Sequence, residues 1–220
     1  MRLCVVSANL GSYDVQVPWT PQVVPPGVTV DVYRLTDENF PPRPKAMTSA
    51  LQCGIPKMFG WQLFPDYDCY LWIDASRGLL RPDTVAWFLA QLPAWADLAL
   101  FRHPERGTIA EEYAFVKAKL AAGSRYLTSR YAGEWLDAQY QATQHFGFRD
   151  RVLYASTAFM YRPTDAVKAM LTEWWVHKSR YHLHDQLALP FLVWKHRIMP
   201  AVLDGDIYHC DHLPITRARR

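Results

Sequence analysis

The stretch YDCYLWIDASRGLL, residues 67–80, decides how the fold is interpreted. Its apolar run, residues 69–73, lacks polar alternation, which is typical of a strand buried on both faces of a sheet. Asp74 follows the run at once and begins a charged, glycine-containing turn. A buried parallel strand delivers its last side chain to the carboxyl edge of the sheet, where open α/β folds bind their ligands. Asp74 is therefore a candidate to hold a metal or to orient a ribose or sugar hydroxyl, and capping of the turn is the alternative.

Similar short apolar runs recur along the chain with helical patterns between them, which predicts a layered α/β domain. The candidate strands are residues 3–8, 28–34, 69–73, 98–102, 152–161 and 198–203. The candidate helices are residues 46–52, a segment that Thr108 caps and that ends near Gly123, residues 129–145, and a segment that Thr164 caps.

The totals favour one large domain, which we place at residues 1–216 with a basic tail at 217–220. The chain has 220 residues, 50% hydrophobic and 20% charged, which is enough to bury a sizeable core. A net charge of +3 is too small to indicate binding of nucleic acid through charge alone. The apolar N-terminal run is too short for a signal peptide or a membrane span, so we expect a cytoplasmic protein, with peripheral association at the inner membrane face left open.

Three further segments carry candidate site residues. FRHPERGTIAEEY, residues 101–113, follows an apolar strand and supplies His103, Arg106 and Glu112; an ordinary strand-to-helix loop is the alternative. HDQ, residues 184–186, supplies Asp185 and Gln186, although Asp185 is also suited to cap the helix that follows. The segment DGDIYHCDHLP, residues 204–214, offers carboxylate and imidazole ligands for a metal, or an ordinary polar surface.

Several common chemistries lack their motifs. The chain has no G-x-G-x-x-G after its first strand and no G-x-x-x-x-G-K-[ST], so dinucleotide and P-loop sites are not indicated. G-x-S-x-G is absent as well, so the simplest kind of hydrolase, with a serine nucleophile in that motif, is not indicated. The four cysteines include no C-x-x-C pair and indicate neither a zinc knuckle nor a redox motif.

Taken in order, five segments resemble a glycosyltransferase-like domain family, formerly of unknown function, found in bacterial polysaccharide clusters and plant Golgi proteins. They are YD at 13–14, LTDEN at 35–39, IPKMFGWQLFPDYDCYLWIDASRGLL at 55–80, FRHPERGTIAEEY at 101–113 and HDQLALPFLVWK at 184–195. The family is similar to nucleotide-sugar transferases of the A-type fold. The resemblance implies a single Rossmann-like domain, with a mostly parallel central sheet flanked by helices and a donor such as a UDP-sugar along the carboxyl edge.

The resemblance also assigns roles around the diphosphate of the donor. Asp74 matches the first carboxylate of the Asp-x-Asp motif, and Ser76 stands where the second would be. Because a neutral hydroxyl is a weak ligand for Mn²⁺ or Mg²⁺, three outcomes stay open. The metal is held by Asp74 and a C-terminal histidine such as His209, it is held weakly, or it is not used. In the last case basic residues would neutralise the leaving diphosphate, the candidates being Lys57, Arg77 and Arg106.

The remaining roles concern the nucleoside and the acceptor. The positions that cradle the base and ribose in A-type folds correspond to Asn9, Tyr13, Thr36 and Asp37. Asp185 matches the acidic residue that reaches the donor sugar and acceptor, and Gln186 adds an orienting amide. The catalytic candidates are Asp185, Glu112, His103 and Gln186.

The resulting prediction is transfer of a sugar from a nucleotide-sugar to an acceptor hydroxyl on a saccharide, glycolipid or other molecule. Two alternatives remain: a metal-dependent hydrolase, and a carbohydrate-binding module that has lost the transfer chemistry. A modified nucleic-acid base is a further possible acceptor, and salt-dependent DNA binding would be its signature.

Overall fold

A computed structural model describes residues 1–43, 45–181 and 183–216. The strands are β1 Arg2–Asn9, β2 Thr29–Thr36, β3 Cys69–Ile73, β4 Leu98–Arg102, β5 Tyr154–Tyr161 and β6 Ala201–Val202. The helices are α1 Ser49–Gln52, α2 Gly54–Leu63, α3 Thr84–Ala90, α4 Ile109–Ala121, α5 Arg125–Tyr131, α6 Leu136–Ala142, α7 Asp165–Arg180 and α8 Leu189–Lys195, with a 3-10 turn at Asp185–Leu187.

The strands form one six-stranded sheet in the order β2-β1-β3-β5-β4-β6. β1 is parallel to β2 and β3, and β4 is parallel to β6, whereas β5 is antiparallel to both of its neighbours. Five strands therefore run in one direction, as the predicted mostly parallel sheet requires. The carboxyl ends of β1, β2, β3 and β4 and the start of β5 meet at one edge, which we call the carboxyl edge.

Side chains of the central strands alternate between two apolar layers. In β1, Leu3 and Val5 face one layer, while Cys4 and Val6 face the other. All four side chains are buried. Helices cover both faces, α3 on one side and α7 with α4 and α8 on the other. Burial on both faces explains why β3 lacks polar alternation.

A β-bulge interrupts the pairing of β4 with β5. Leu100 lies opposite Phe159, but the next residue, Phe101, lies opposite Ala155. Residues 156–158 are therefore left unpaired with β4. Bulges often re-aim side chains near functional sites, and this bulge lies at the carboxyl edge.

All six predicted strands are confirmed, although the last contains only two residues. The predicted helix over residues 129–145 is wrong, because the chain forms α5 and α6 with a turn between them. Gly133 lies in this turn with φ of +84°, which a continuous helix does not allow. Thr108 caps α4 by accepting from Glu111 N at 3.1 Å, as predicted. The predicted basic tail, residues 217–220, lies outside the described residues.

Candidate active site

Three of the predicted site residues converge at the carboxyl edge. Lys57 Nζ, on α2, lies 3.3 Å from Asp74 Oδ1 and 2.8 Å from Asp185 Oδ2. Asp74 directly follows β3, whereas Asp185 begins the 3-10 turn before α8. Two carboxylates from distant parts of the sequence therefore share one ammonium group.

Asp185 also contacts two residues that the sequence analysis did not select. Lys178 Nζ donates to Asp185 Oδ1 at 2.9 Å, and Ser156 Oγ, from the β-bulge, donates to Oδ2 at 3.2 Å. Lys178 lies on the apolar stripe of α7, in step with the buried residues Leu171 and Trp174. The sequence did carry a signal for Lys178. A lysine on the apolar stripe of a helix indicates a buried charge, and a buried charge usually has a partner. We call Lys57, Asp74, Ser156, Lys178 and Asp185 the carboxyl-edge cluster.

A glycine lets both lysines reach the same carboxylate. Gly54 begins α2 three residues before Lys57, and a Cβ added to it would lie 2.9 Å from Lys178 Cδ and 3.1 Å from Trp175 Cζ3. The lysine stem thus packs against the backbone of α2. A larger residue at position 54 would require the stem of Lys178 to shift.

The paired charges fix the ionisation of the cluster. Burial by itself would lower the pKa of Lys57, but Asp185 and Asp74 outweigh this effect and raise it. Burial would likewise raise the pKa of Asp185, but Lys178 and Lys57 hold it well below its ordinary value. Both groups are therefore charged at neutral pH. A carboxylate held in this way is a poor general base, because a base works best with a pKa near the working pH.

Neither aspartate acts as a backbone cap. Asp74 Oδ1 accepts from Trp72 Nε1 at 2.7 Å as well as from Lys57, and within the described chain no backbone N–H donates to its carboxylate. Asp185 directs both oxygens to side chains. The side chain of Asp74 is 36% exposed against 11% for Asp185. Asp74 is thus the acidic residue of the cluster that a ligand can reach.

Glu112 forms a second buried ionic group with Arg106 and His184. Its carboxylate accepts from Arg106 Nε and from His184 Nε2, the latter at 2.6 Å, and His184 Nδ1 lies 3.0 Å from Tyr131 Oη. Burial would raise the pKa of Glu112, but His184 and Arg106 lower it to about 2. Glu112 is therefore ionised at neutral pH and bonded to both Arg106 and His184. It acts as an internal counter-ion.

His103 lies beside this group. Its Nδ1 accepts hydrogen bonds from the backbone N–H groups of Glu105 and Arg106, at 3.3 and 3.2 Å. Protonation of Nδ1 would break both bonds. Burial lowers the pKa of His103, with Glu112 opposing this and Arg106 reinforcing it. The ring is therefore neutral at pH 7, and it orders the loop that carries Arg106.

The predicted nucleoside positions brace the loops that follow β1 and β2. Asn9 bonds Asp14 through its amide, Nδ2 to Asp14 O at 2.6 Å and Asp14 N to Oδ1 at 3.0 Å. Asp37 accepts from Gly11 N with both oxygens at 3.0 Å, which ties the two loops together. Thr36 Oγ1 accepts from Glu38 N at 3.3 Å.

Tyr13 reaches across to α5. Arg130 Nη1 donates to Tyr13 Oη at 3.2 Å, and its guanidinium also lies over the ring of Tyr126 at 5.3 Å. Tyr13 remains 54% exposed. The loop after β1, which is predicted to bind the donor, therefore contacts α5.

Arg77 is a buried cation behind Asp74. Its Nη1 donates to Leu213 O at 2.9 Å, and its backbone N–H donates to Asp74 O at 2.9 Å. Thr216 N donates to Ser76 O at 2.9 Å, so the C-terminal segment covers this turn. Burial lowers the pKa of Arg77, and Asp74 is the largest of the opposing charges. Within the described ranges no carboxylate forms an ion pair with Arg77, which is only 5% exposed.

The remaining predicted site residues, Gln186 and His209, make fewer contacts. Gln186 is partly buried beside Asp185, and its amide has no hydrogen bond to the described residues. The side chain of His209 is 82% exposed and pairs with Asp206 at 2.8 Å, and no contact in the described chain joins it to Asp74. Across residues 1–43, 45–181 and 183–216, no group of three or more His, Cys, Asp or Glu side chains is arranged to hold a metal ion. The metal at Asp74 and His209 therefore stays a prediction.

Comparison with solved structures gives matches that cover most of the chain. The mouse xyloside xylosyltransferase 1 structure matches with a TM-score of 0.51 and 9% identity, covering 93% of this chain and 85% of that one. A glycosyltransferase involved in glycosylation of the major capsid of PBCV-1 matches with a TM-score of 0.45 and 9% identity, covering 94% and 82%. A CMP:2-keto-3-deoxy-manno-octonic acid synthetase complexed with CTP has a TM-score of 0.42 and 12% identity, covering 94% and 90%.

The sequence comparisons are negative. No family model matches the chain, and no curated protein matches it. The resemblance to one particular domain family therefore stays a prediction. Among the described residues no helix is both long and apolar enough to cross a membrane. The chain has the single-domain α/β fold, with a six-stranded central sheet flanked by helices, that is seen in the A-type glycosyltransferases.

Proposed function

We propose that this protein is a glycosyltransferase that moves a sugar from a nucleotide-sugar, with a UDP-sugar as the first donor to test, to an acceptor hydroxyl. The observation that carries the proposal is the convergence of Asp74 and Asp185 on Lys57 at the carboxyl edge. The fold supports it, because sheets of this kind bind ligands at that edge.

The bond between the anomeric carbon and the diphosphate breaks, and its electron pair leaves with the nucleoside diphosphate. Lys57 and Arg77 stabilise this leaving charge, since both are buried cations beside Asp74. Asp74 orients the donor, either by binding a ribose hydroxyl or by positioning Lys57. Asp185 holds Lys57 and Lys178 in place. Glu112, with its oxygens bonded to Arg106 and His184, positions the adjacent loop and does not accept the acceptor proton.

The proton of the acceptor hydroxyl therefore goes neither to Asp185 nor to Glu112. The second ionisation of a phosphate has a pKa of about 6, far above that of the carboxylate at position 185. We therefore expect the departing diphosphate to take this proton as the new bond forms between the acceptor oxygen and the anomeric carbon. The acceptor needs a hydroxyl and no separate base from the cluster.

The test is binding and turnover with a panel of nucleotide-sugars. A donor that binds the native state raises the melting temperature, and a radiolabelled donor with a mixture of saccharide acceptors reports transfer. Asp74→Asn removes the reachable carboxylate and should reduce transfer at least about 100-fold, within the range for loss of one electrostatic contact. Asp165→Asn, on the exposed first turn of α7, is the matched control and should retain activity.

Each outcome has a definite meaning. Transfer that survives in Asp74→Asn at the control level removes the assigned role of this carboxylate. Release of free sugar at the same rate with and without acceptor would assign hydrolysis instead. Saccharide binding without any nucleotide-sugar binding would identify a binding module.

A further inference from the structure

A cavity lies outside the carboxyl-edge cluster, between α4 and the segment that contains α5 and α6. Its volume is about 510 Å³, within the range of pockets that bind small organic ligands. We call it the α4–α6 groove. The side chains that define it are Lys117, Leu120, Tyr131, Glu134, Trp135 and Asp137.

Trp135 presents a flat apolar face on a fixed backbone. Its side chain is 61% exposed, and no other aromatic ring in the described part of the chain stacks on it. Its backbone N–H donates to Tyr181 O at 2.9 Å, and its carbonyl accepts from Gln139 N at 3.0 Å. The indole is thus held at the groove without being used by the core. A tryptophan face of this kind suits the apolar face of a sugar ring.

The polar groups of the groove include both donors and acceptors. Lys117 Nζ donates to Asp137 at 2.9 and 3.1 Å, and Tyr113 Oη donates to the same carboxylate at 3.0 Å. Glu134 adds a second exposed carboxylate. Two carboxylates against one ammonium repel phosphates. A neutral ligand rich in hydroxyl groups can bond to either kind of group, since each hydroxyl both donates and accepts.

The groove is connected to the carboxyl-edge cluster through one layer of side chains. Tyr131, at its floor, lies 3.0 Å through its Oη from His184 Nδ1, and His184 precedes Asp185 in the chain. Glu134, on its wall, lies within electrostatic reach of Lys178, which binds Asp185. The groove and the carboxyl-edge cluster are therefore neighbours, separated by the buried side chains of Tyr131 and His184.

We infer that the α4–α6 groove binds the saccharide chain of the acceptor, with one sugar ring on Trp135 and its hydroxyl groups bonded to Lys117, Glu134 and Asp137. The inference rests on the proposed function and deepens it by naming the acceptor as an uncharged oligosaccharide. Sulfated, phosphorylated and nucleic-acid acceptors are disfavoured by the negative balance of the groove.

The experiment measures saccharide binding apart from catalysis. The full chain is applied to an array of immobilised neutral, carboxylated, sulfated and phosphorylated oligosaccharides, and hits are measured again by titration in solution. Trp135→Ala should weaken binding of neutral oligosaccharides about tenfold or more, which corresponds to about 1.4 kcal/mol. Trp95→Ala is the matched control, because Trp95 is 60% exposed and lies outside the groove. Nucleotide-sugar binding is measured for each variant by thermal shift.

Loss of saccharide binding in Trp135→Ala alone, with unchanged nucleotide-sugar binding, supports the inference. Equal binding by the two tryptophan variants overturns it, as does a wild-type chain that binds no oligosaccharide or prefers the charged ones. Trp135-dependent saccharide binding without nucleotide-sugar binding would keep the groove as a saccharide site and reject the transferase. The two proposals therefore fail separately.

Discussion

Lys57 and Asp185 stand 128 positions apart in the sequence and form an ion pair of 2.8 Å in the folded protein. Both side chains are nearly withdrawn from water, with 6% and 11% of their surface exposed. A buried charge left without its partner costs far more than a lost surface pair. The pair therefore links the stability of the fold to the geometry of the candidate site.

We expect Lys57→Met to lower the free energy of unfolding at pH 7 by about 3 kcal/mol, because Asp74 and Asp185 then lose their shared cation. The loss should shrink progressively as the pH falls below about 4, because unfolded carboxyl groups become protonated there while Asp185 in the folded protein keeps its charge to a lower pH. Urea unfolding at several pH values measures both effects. Lys195→Met removes an exposed lysine paired with Glu173 and should cost no more than about 1 kcal/mol. Equal losses in the two variants would show that the buried ion pair stabilises the fold no more than an exposed one does.

Asp185→Asn should destabilise the protein more than Asp74→Asn does. Asp185 offsets two buried lysines, Lys57 and Lys178, whereas Asp74 contacts only one of them and is more exposed. We expect a loss of about 3 kcal/mol for Asp185→Asn. Thermal unfolding and circular dichroism measure it, and Asp185→Glu serves as a second variant that keeps the charge. If both variants at 185 fold normally and retain full transfer, the carboxylate has no part in the site.

Glu112 should add acid sensitivity to the fold. Its pKa is about 2 in the folded protein against an ordinary 4.5, so its stabilising contribution is complete above pH 4.5 and is lost as the pH falls towards 2. Glu112→Gln should lower the free energy of unfolding by about 3 kcal/mol at pH 7 and flatten its fall between these pH values. Glu111→Gln, on the exposed side of the same turn, is the control. Parallel pH curves for wild type and Glu112→Gln would contradict the internal counter-ion role.

Donor binding should not require a divalent metal. Lys57 already places a positive charge 3.3 Å from Asp74 Oδ1, and Ser76 offers no carboxylate to complete a metal site. We expect the thermal shift produced by a nucleotide-sugar to be unchanged by EDTA and by added Mn²⁺. A shift that disappears in EDTA and returns with Mn²⁺ would show that the donor completes a metal site at Asp74.

Part of this picture followed from local sequence. The unbroken apolar run before Asp74 predicted a doubly covered strand, and Thr108 predicted the start of α4, because backbone geometry and burial act over a few neighbouring residues. The break at Gly133 was missed, because an isolated glycine within a helical pattern can be tolerated and does not by itself mark the end of a helix. Lys178 was missed because its partner lies on another element.

The sequence by itself determined the order of the strands and put acidic side chains at the ends of strands. The tertiary structure alone decided which charges meet: Asp74 and Asp185 on one lysine, and Glu112 between Arg106 and His184, away from solvent. Local patterns are set by backbone hydrogen bonding and periodic burial, which a short window of sequence contains. The pairing and ionisation of buried charges depend on distance and desolvation, which exist only after distant segments have packed together.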